Sequence, residues 1–455
     1  MLSMSIHIGL LSGHACIVEI SSGESVAELR RKAQRQLRNG VSALVDASGR
    51  MLKEHESISE TGLSDGCRVT ATISHIKLMG TRLCKEFALI RPDGTVLTWG
   101  ATLGQKKHKP LHEVQHVAAS IGAFAAVQAD GSVISWGEPW AGSDSSSVQG
   151  QLQHARTVSA ASAAFAAVTN TGTVVTWGAK SAGGDSQSVA QQLTGVVEVV
   201  SSWSAFAAIR DDGSVVTWGD EYRGGDIRPV QNELRNVRHV AATAMSFAAL
   251  RQDGCVVTWG EEWSGGDSSE VAADLVRIRA IVASHRAFAA ITAEGKVVTW
   301  GDVDSGGCCS RVEHRLHSVR QVCATDKAFA AVREDGQVVS WGHAACGGCS
   351  SQVQSQLQNV TQIAASRFAF AALRSDGTVV TWGNPRFGGD SSLLQTCLTD
   401  VLEVHAAQCA FSALLADGDV ITWGELRHGE DVVEYRWQSL KDVHSLQVVP
   451  ALLLP

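Results

Sequence analysis

The chain has 455 residues, with 38 Lys and Arg against 46 Asp and Glu, 44 Gly, 13 Trp and 11 Cys. At 44% hydrophobic and 18% charged it reads as neither a disordered tail nor a membrane protein, and no apolar run approaches the ~20 residues of a spanning helix. Residues 1–76 hold eight basic and eight acidic side chains, so the net charge of −8 falls on the remainder, an acidic body poorly suited to phosphate backbones. Nucleic acid is therefore excluded as the main expected ligand, and so is a membrane. The start, Met1-Leu-Ser-Met-Ser-Ile-His7, has neither the basic nor the apolar region of a secretory signal. An odd number of mostly isolated cysteines suits a reducing compartment, so the expected location is cytosol or nucleus.

Met4 to Ile20 reads as two strands around a Ser-Gly turn. Val26, Leu29, Ala33 and Leu37, at three- and four-residue spacing, predict a helix capped by Ser25 or Ser22. Leu44-Val45, a turn at Gly49 before Met51-Leu52, and a last strand Cys67–Ile73 complete a ββαββ order. This order, with the Leu63-Ser-Asp loop, resembles ubiquitin-like domains of the small α+β (β-grasp) class. The resemblance implies a counterpart of ubiquitin's exposed apolar patch at Leu11, Leu44 and Val69, with plain core packing as the alternative for Leu44 and Val69. Conjugation of ubiquitin needs a free Gly-Gly carboxylate. Here the chain runs on through Ser74-His75-Ile76, as expected of a fixed module.

The rest of the chain repeats. Trp-Gly occurs at Trp99, Trp136, Trp177, Trp218, Trp259, Trp300, Trp341, Trp382 and Trp423, first 37 residues apart and then always 41. A Phe stands twelve residues before each Trp and a Gly five before, the Gly preceded by Asp in seven of the nine copies. Phe206-Ala-Ala-Ile-Arg-Asp-Asp-Gly-Ser-Val-Val-Thr-Trp-Gly219 shows the logic: Asp-Gly between two apolar runs marks a tight hairpin, and Val-Val-Thr-Trp is strand-forming. An upstream run such as Val196–Val200 adds a third strand. Between units, Gly265–Leu275 predicts a short helix capped by Asp267 or Ser268, with Val271 and Leu275 on its inner face. Three strands cannot bury their own faces, so the repeated Phe and Trp are expected to fill the seams between stacked units.

The pattern Ala-Phe-Ala-Ala-x-x-x-Asp-Gly-x-Val-Val-x-Trp-Gly resembles the regulator of chromosome condensation repeat family, whose members are β-propellers. The expected fold is mostly β: a propeller-like array of nine three-stranded units, as a closed ring or an open β-spiral, preceded by the small α+β unit. The domains are drawn as 1–75, 76–449 and a tail 450–455, with Leu446–Val449 as a possible final strand. The 41-residue period is similar to that of the compact propeller-type β-lactamase inhibitory protein.

Chemistry is sparse. Cys346-Gly-Gly-Cys349 has metal-like spacing, yet Cys308 and Cys349 occupy the slot of Asp185, Asp226, Asp267 and Asp390, and no second Cys pair completes a zinc site. No metal or other cofactor is expected. No Gly-x-Ser-x-Gly, phosphate-binding loop or His-Glu-x-x-His motif is present, so no enzyme is expected.

Function on a repeat scaffold sits where the copies differ. Two stretches vary: the residues after each Trp-Gly, carrying Trp140, Tyr222, Glu261, Glu262, Trp263 and Phe387, and the turn before each Phe, carrying Trp203, Met245, His285, Arg286 and Arg367. Up-down-up strand order puts both at one end and the Asp-Gly turns at the other. The expectation is a non-catalytic scaffold or adaptor that binds a protein partner there and stands near ubiquitin machinery. The family resemblance implies two alternatives: nucleotide exchange on a small GTPase, or an accessory or substrate-recognition role related to large ubiquitin ligases.

Overall fold

The computed structural model describes residues 3–10, 15–37, 41–53, 56–73, 77–80, 86–90, 96–100, 114–416, 419–425, 434–437 and 448–449. Of these, 77–80, 86–90, 96–100, 434–437 and 448–449 are described by their backbone alone. Leu11 lies outside the described residues.

The N-terminal unit runs β1 (Ser3–Leu10), β2 (Ala15–Ser21), α1 (Val26–Leu37), β3 (Val41–Val45), α2 (Ile58–Thr61) and β4 (Arg68–Ile73). Its sheet has the order β2-β1-β4-β3; β1 and β4 are parallel and the other pairs antiparallel. The parallel pair forces a crossover, which α1 supplies. Ser25 Oγ accepts from the Glu28 amide at 3.3 Å, so Ser25 is the cap. Ile6, Ile8, Val18 and Ile20 point to one side of the sheet and meet Val26, Leu29 and Ala33. Leu44 and Val69 belong to this core, at 1% and 2% exposure, which corrects their expected place in a surface patch. Both alternate with outward residues on strands whose inner face must be covered by α1, so the pleat turns them inward.

The remainder is a run of nine antiparallel sheets, each made of three sequential strands, numbered here as units 1 to 9. Unit 5 comprises Val237–Ala242, Ser246–Arg251 and Val256–Gly260, and unit 6 Ile278–Ala283, Ala287–Thr292 and Val297–Gly301. Unit 9 is extended to five strands by Glu434–Trp437 and Val448–Val449, so part of the expected final strand is present. From unit 2 to unit 9 the first strands of successive units stand next to one another. The first strand of unit 9 (Val401–Ala406) also stands beside that of unit 1 (Lys77–Gly80).

The Ala-Phe-Ala-Ala strand is buried on both faces, and its pattern follows from period-2 alternation. In unit 5, Phe247 and Ala249 face the core shared with unit 4, whereas Ala248 and Leu250 face unit 6. The small residue makes room for the next unit's Phe288 and Trp300, which pack in that same cluster. Phe288 and Trp300 are themselves cross-strand partners, stacked with centroids 5.1 Å apart. The same stacking recurs from Phe124–Trp136 to Phe411–Trp423 at 5.1–5.5 Å. These eight indoles are 1–8% exposed, so the aromatic rings fill the seams as the repeat predicts.

Two local expectations are refined. In the hairpin turn of unit 4 only Gly213 takes positive φ, +75°; Asp212 instead uses its carboxylate to accept from the Ser214 amide at 2.9 Å. The inter-unit helix is a single 3-10 turn, Ser269–Val271, with Ser268 at its N-cap and Asp267 accepting from the Ser269 amide at 2.8 Å. Leu275 is buried and Val271 half-buried against the seam.

Candidate functional site

The two variable stretches do meet at one end of each unit from 2 to 9. The residue after Trp-Gly hydrogen-bonds back to the turn before Phe: Asp220 to Ser204, Glu261 to Met245, Asp302 to Arg286 and Asn384 to Phe368, all amide to carbonyl at 2.9–3.0 Å. A buried hydroxyl four residues before the Phe adds a second tie in most units. Ser284 Oγ accepts from the Ala287 amide at 3.0 Å and donates to the Ser305 carbonyl at 2.9 Å. Ser120, Ser202, Thr325 and Ser366 donate to the matching carbonyl, 21 residues ahead. Sequence reading missed this role, although the signal was available: Ser or Thr fills that slot in every unit from 2 to 8 except unit 3 (Ala161).

Units are joined at the same end by a relay of backbone bonds with 41-residue steps. Ile121 donates to Ser162, Ser162 to Trp203, Trp203 to Ala244, Ala244 to His285, His285 to Asp326, Asp326 to Arg367 and Arg367 to Gln408, at 2.9–3.1 Å. The variable turns thus sit on a continuous, hydrogen-bonded rim, and their side chains differ on a fixed backbone.

Side chains cross between units there. Arg286 lies over the Trp263 ring at 4.4 Å, so a unit 6 turn covers a unit 5 loop. Trp203 reaches past the small Ala244 to meet His285 edge-on at 6.0 Å, two units on. Arg367 pairs with Asp326 at 2.8 Å and stands over Phe368 at 5.0 Å. Phe387 is half-buried, edge-on to Phe368 at 4.7 Å, so it serves mainly to pack its own loop. Among the described residues, Tyr222 (84%), Trp140 (61%) and Trp263 (46%) are the exposed aromatics of the rim.

Units 4 to 6 carry Asp220, Glu221, Glu261, Glu262, Asp302 and Asp304 on this end. Two arginines stand among them: Arg223 pairs with Asp220 at 3.5 Å, and Arg286 is stacked on Trp263. The sector is therefore acidic, with Tyr222 and Trp263 projecting from it. Glu262 is exposed and Glu261 half-buried. Trp140 and Phe387 belong to units 2 and 8, outside this sector.

The cysteine slot behaves as its Asp counterparts do. Cys308 Sγ lies 3.2 Å from Ser310 Oγ and Cys349 Sγ 3.2 Å from Ser351 Oγ, as Asp267 engages Ser269. Cys346 is buried while Cys349 is exposed. Among the described residues no group of three His, Cys, Asp or Glu side chains is placed to hold a metal ion.

Residues 360–388 match the Regulator of chromosome condensation (RCC1) repeat. That segment is unit 8 with the loop after it. No curated protein matches the chain. Among solved structures, Prp20p from Saccharomyces cerevisiae is similar at 15% identity and a TM-score of 0.39, covering 73% of this chain and 91% of its own. The ectodomain of the receptor kinase CR4 from Physcomitrella patens has 15% identity and a TM-score of 0.38, covering 69% and 74%. Human WBSCR16 has 15% identity and a TM-score of 0.34, covering 72% and 83%.

Proposed function

We propose that the chain is a non-catalytic protein-interaction scaffold whose working surface is the acidic, aromatic sector of units 4 to 6. One observation carries the reading: the side chains that vary between copies are gathered on a rim whose backbone is held by the 41-residue relay. A rigid scaffold with variable side chains spends little ordering entropy on binding. Exposed Tyr222 and Trp263 supply apolar anchors, and Glu221, Glu261, Glu262 and Asp304 favour a partner with basic groups.

The test is affinity capture with the full chain and with the variant E261K/E262K/W263A. The reading expects the captured partner to be lost from the variant and kept by D253N, altered at the far end. Equal capture by all three would remove the surface from consideration.

The array is inferred to close on itself, supported by the first strand of unit 9 standing beside that of unit 1. Small-angle scattering checks this, since a closed ring has no elongated form. The N-terminal unit is further proposed to be a ubiquitin-like module, on the strength of its strand order and parallel β1–β4 pair. With Leu44 and Val69 buried, any receptor must use other residues; binding of the full chain to ubiquitin receptors tests the link.

A further inference from the structure

The first strand of each unit starts at the Asp-Gly end, opposite the acidic sector: the Val237 amide donates to Gly213 and the Ile278 amide to Gly254, both hairpin glycines. The second residue of that strand is Arg238, Arg279 and Arg320 in units 5, 6 and 7. All three are exposed. Each uses Nη2 to reach the next unit. Arg238 donates to the carbonyls of Ile278 and Arg279 at 3.2 and 3.3 Å, Arg279 to Val319 and Arg320 at 2.6 and 3.2 Å, and Arg320 to Val360 and Thr361 at 2.6 and 3.1 Å. Each guanidinium is thereby fixed beside the backbone of its neighbour in the row.

Arg156 in unit 3 makes the same pair of bonds, to the carbonyls of Val196 and Val197 at 2.8 and 2.6 Å, but Val197 holds the slot in unit 4 and separates it from the row. The hairpin arginines at this end are held differently. Arg210, Arg251, Arg333 and Arg374 each face a hairpin Asp, at 2.8–3.5 Å. Arg238, Arg279 and Arg320 have no carboxylate within ion-pair distance among the described residues, and the residues that follow them, His239, Ala280 and Gln321, bring none. Carbonyl bonds orient the three forks without neutralising them. A guanidinium has five N–H donors in a planar array that suits bidentate carboxylates, so donors remain for a ligand.

We propose that Arg238, Arg279 and Arg320 form a docking row for an acidic peptide segment in extended conformation. The spacing favours a peptide over a compact anion. Arg238 Nη2 reaches the carbonyl of Arg279 and Arg279 Nη2 that of Arg320, so successive forks stand one strand-to-strand step apart; same-side side chains of an extended chain repeat every ~6.6 Å, a step of the same order, so alternate Glu or Asp residues can follow the row. A short polyphosphate holds its charges too close together to meet all three arginines.

The probe is a fluorescent peptide of alternating Glu and Val, titrated against the full chain by anisotropy at low and at physiological salt, with inorganic tripolyphosphate as competitor. The row predicts binding that weakens with salt, and a loss of about tenfold or more in the variant R238Q/R279Q/R320Q. R279K should fall between, because an ammonium keeps the charge and lacks the fork. R210Q, at a paired arginine, should bind as the parent does. Absence of binding at low salt, equal binding by the folded triple variant, or tripolyphosphate preferred over the peptide would each overturn the proposal. Should the triple variant fail to fold, phenylglyoxal modification of the parent chain decides: the peptide must protect these three arginines, and their unchanged labelling refutes the row.

Discussion

The indole Nε1 of Trp300 donates to the carbonyl oxygen of Gly265 at 3.1 Å, across the seam between units 5 and 6. The same bond, always 35 residues back, joins Trp177 to Gly142, Trp218 to Gly183, Trp259 to Gly224, Trp341 to Gly306, Trp382 to Gly347 and Trp423 to Gly388. Gly265 has φ +92°, and a Cβ there would lie 2.6 Å from the Phe288 ring. One glycine thus accepts the indole and makes room for the phenyl. Trp300→Phe should lose about 1–3 kcal/mol by orphaning that carbonyl, and Trp300→Ala about 3–5 kcal/mol. Gly265→Ala should cost about 2–5 kcal/mol through strain and overpacking. Urea unfolding of the three variants, ranked against the parent, checks the order.

Ser284 is a second joint, tying the turn and the loop of unit 6 to each other. It both accepts from the Ala287 amide and donates to the Ser305 carbonyl, and it is buried. Ser284→Ala strands a donor and an acceptor, so a loss of about 1–3 kcal/mol is expected. Ser284→Thr should be tolerated, since Thr325 fills the equivalent slot and makes the equivalent bond at 3.1 Å. Hydrogen exchange should quicken at the Val303–Ser305 turn in the alanine variant alone.

Much of this is legible in the sequence. Fixed spacing of Phe, Asp-Gly and Trp-Gly specifies strands, turns and seams together, because a residue retained in nine copies answers the same geometry nine times. The helix Val26–Leu37 was legible from four apolar positions and a serine. What the spacing does not carry is direction. Trp-Gly predicts a buried indole but not which carbonyl it meets, since the acceptor belongs to the preceding unit. Leu44 and Val69 went astray for a related reason: apolar residues in short strands read alike whether they face a helix or water. Arg286 over Trp263 was also invisible, as it joins slots that vary in different units.

That cation–π contact has its own test. Arg286 covers a half-exposed indole whose loop belongs to another unit. Arg286→Ala should change stability by about 0.5–2 kcal/mol while leaving the fold intact. It should also uncover Trp263. In fluorotryptophan-labelled protein, the 19F resonance removed by Trp263→Phe should become more sensitive to solvent isotope in Arg286→Ala.

Acid should loosen the far end first. The hydroxyl and amide of Ser214 hold the Asp212 carboxyl below its ordinary range, and Thr378 and Ser132 do the same for Asp376 and Asp130. A carboxyl depressed in the folded state contributes stability above its unfolded pKa of about 4 and loses it as pH falls through the lower folded value. The hairpins are therefore expected to weaken below pH about 4 and to be insensitive to pH above it. Ser214→Ala should raise the Asp212 midpoint toward the ordinary value, read by carboxyl 13C titration, with Asp376 unmoved.

Thiol reactivity should divide by slot. Cys308 and Cys349 are exposed, and the hydroxyls of Ser310 and Ser351 pull their thiols below the usual range, favouring thiolate. Burial pushes Cys309 and Cys346 the other way. Thiolate fraction and access both set the rate of alkylation, so Cys308 and Cys349 should be labelled first by iodoacetamide in the native protein, with Cys346 among the last. Ser310→Ala should slow Cys308 and leave Cys349 unchanged, because each hydroxyl serves only the thiol of its own loop. Peptide mapping after a short pulse reads both rates in one sample, and equal labelling of Cys308 and Cys346 would show that neither the hydroxyl nor burial governs these sites.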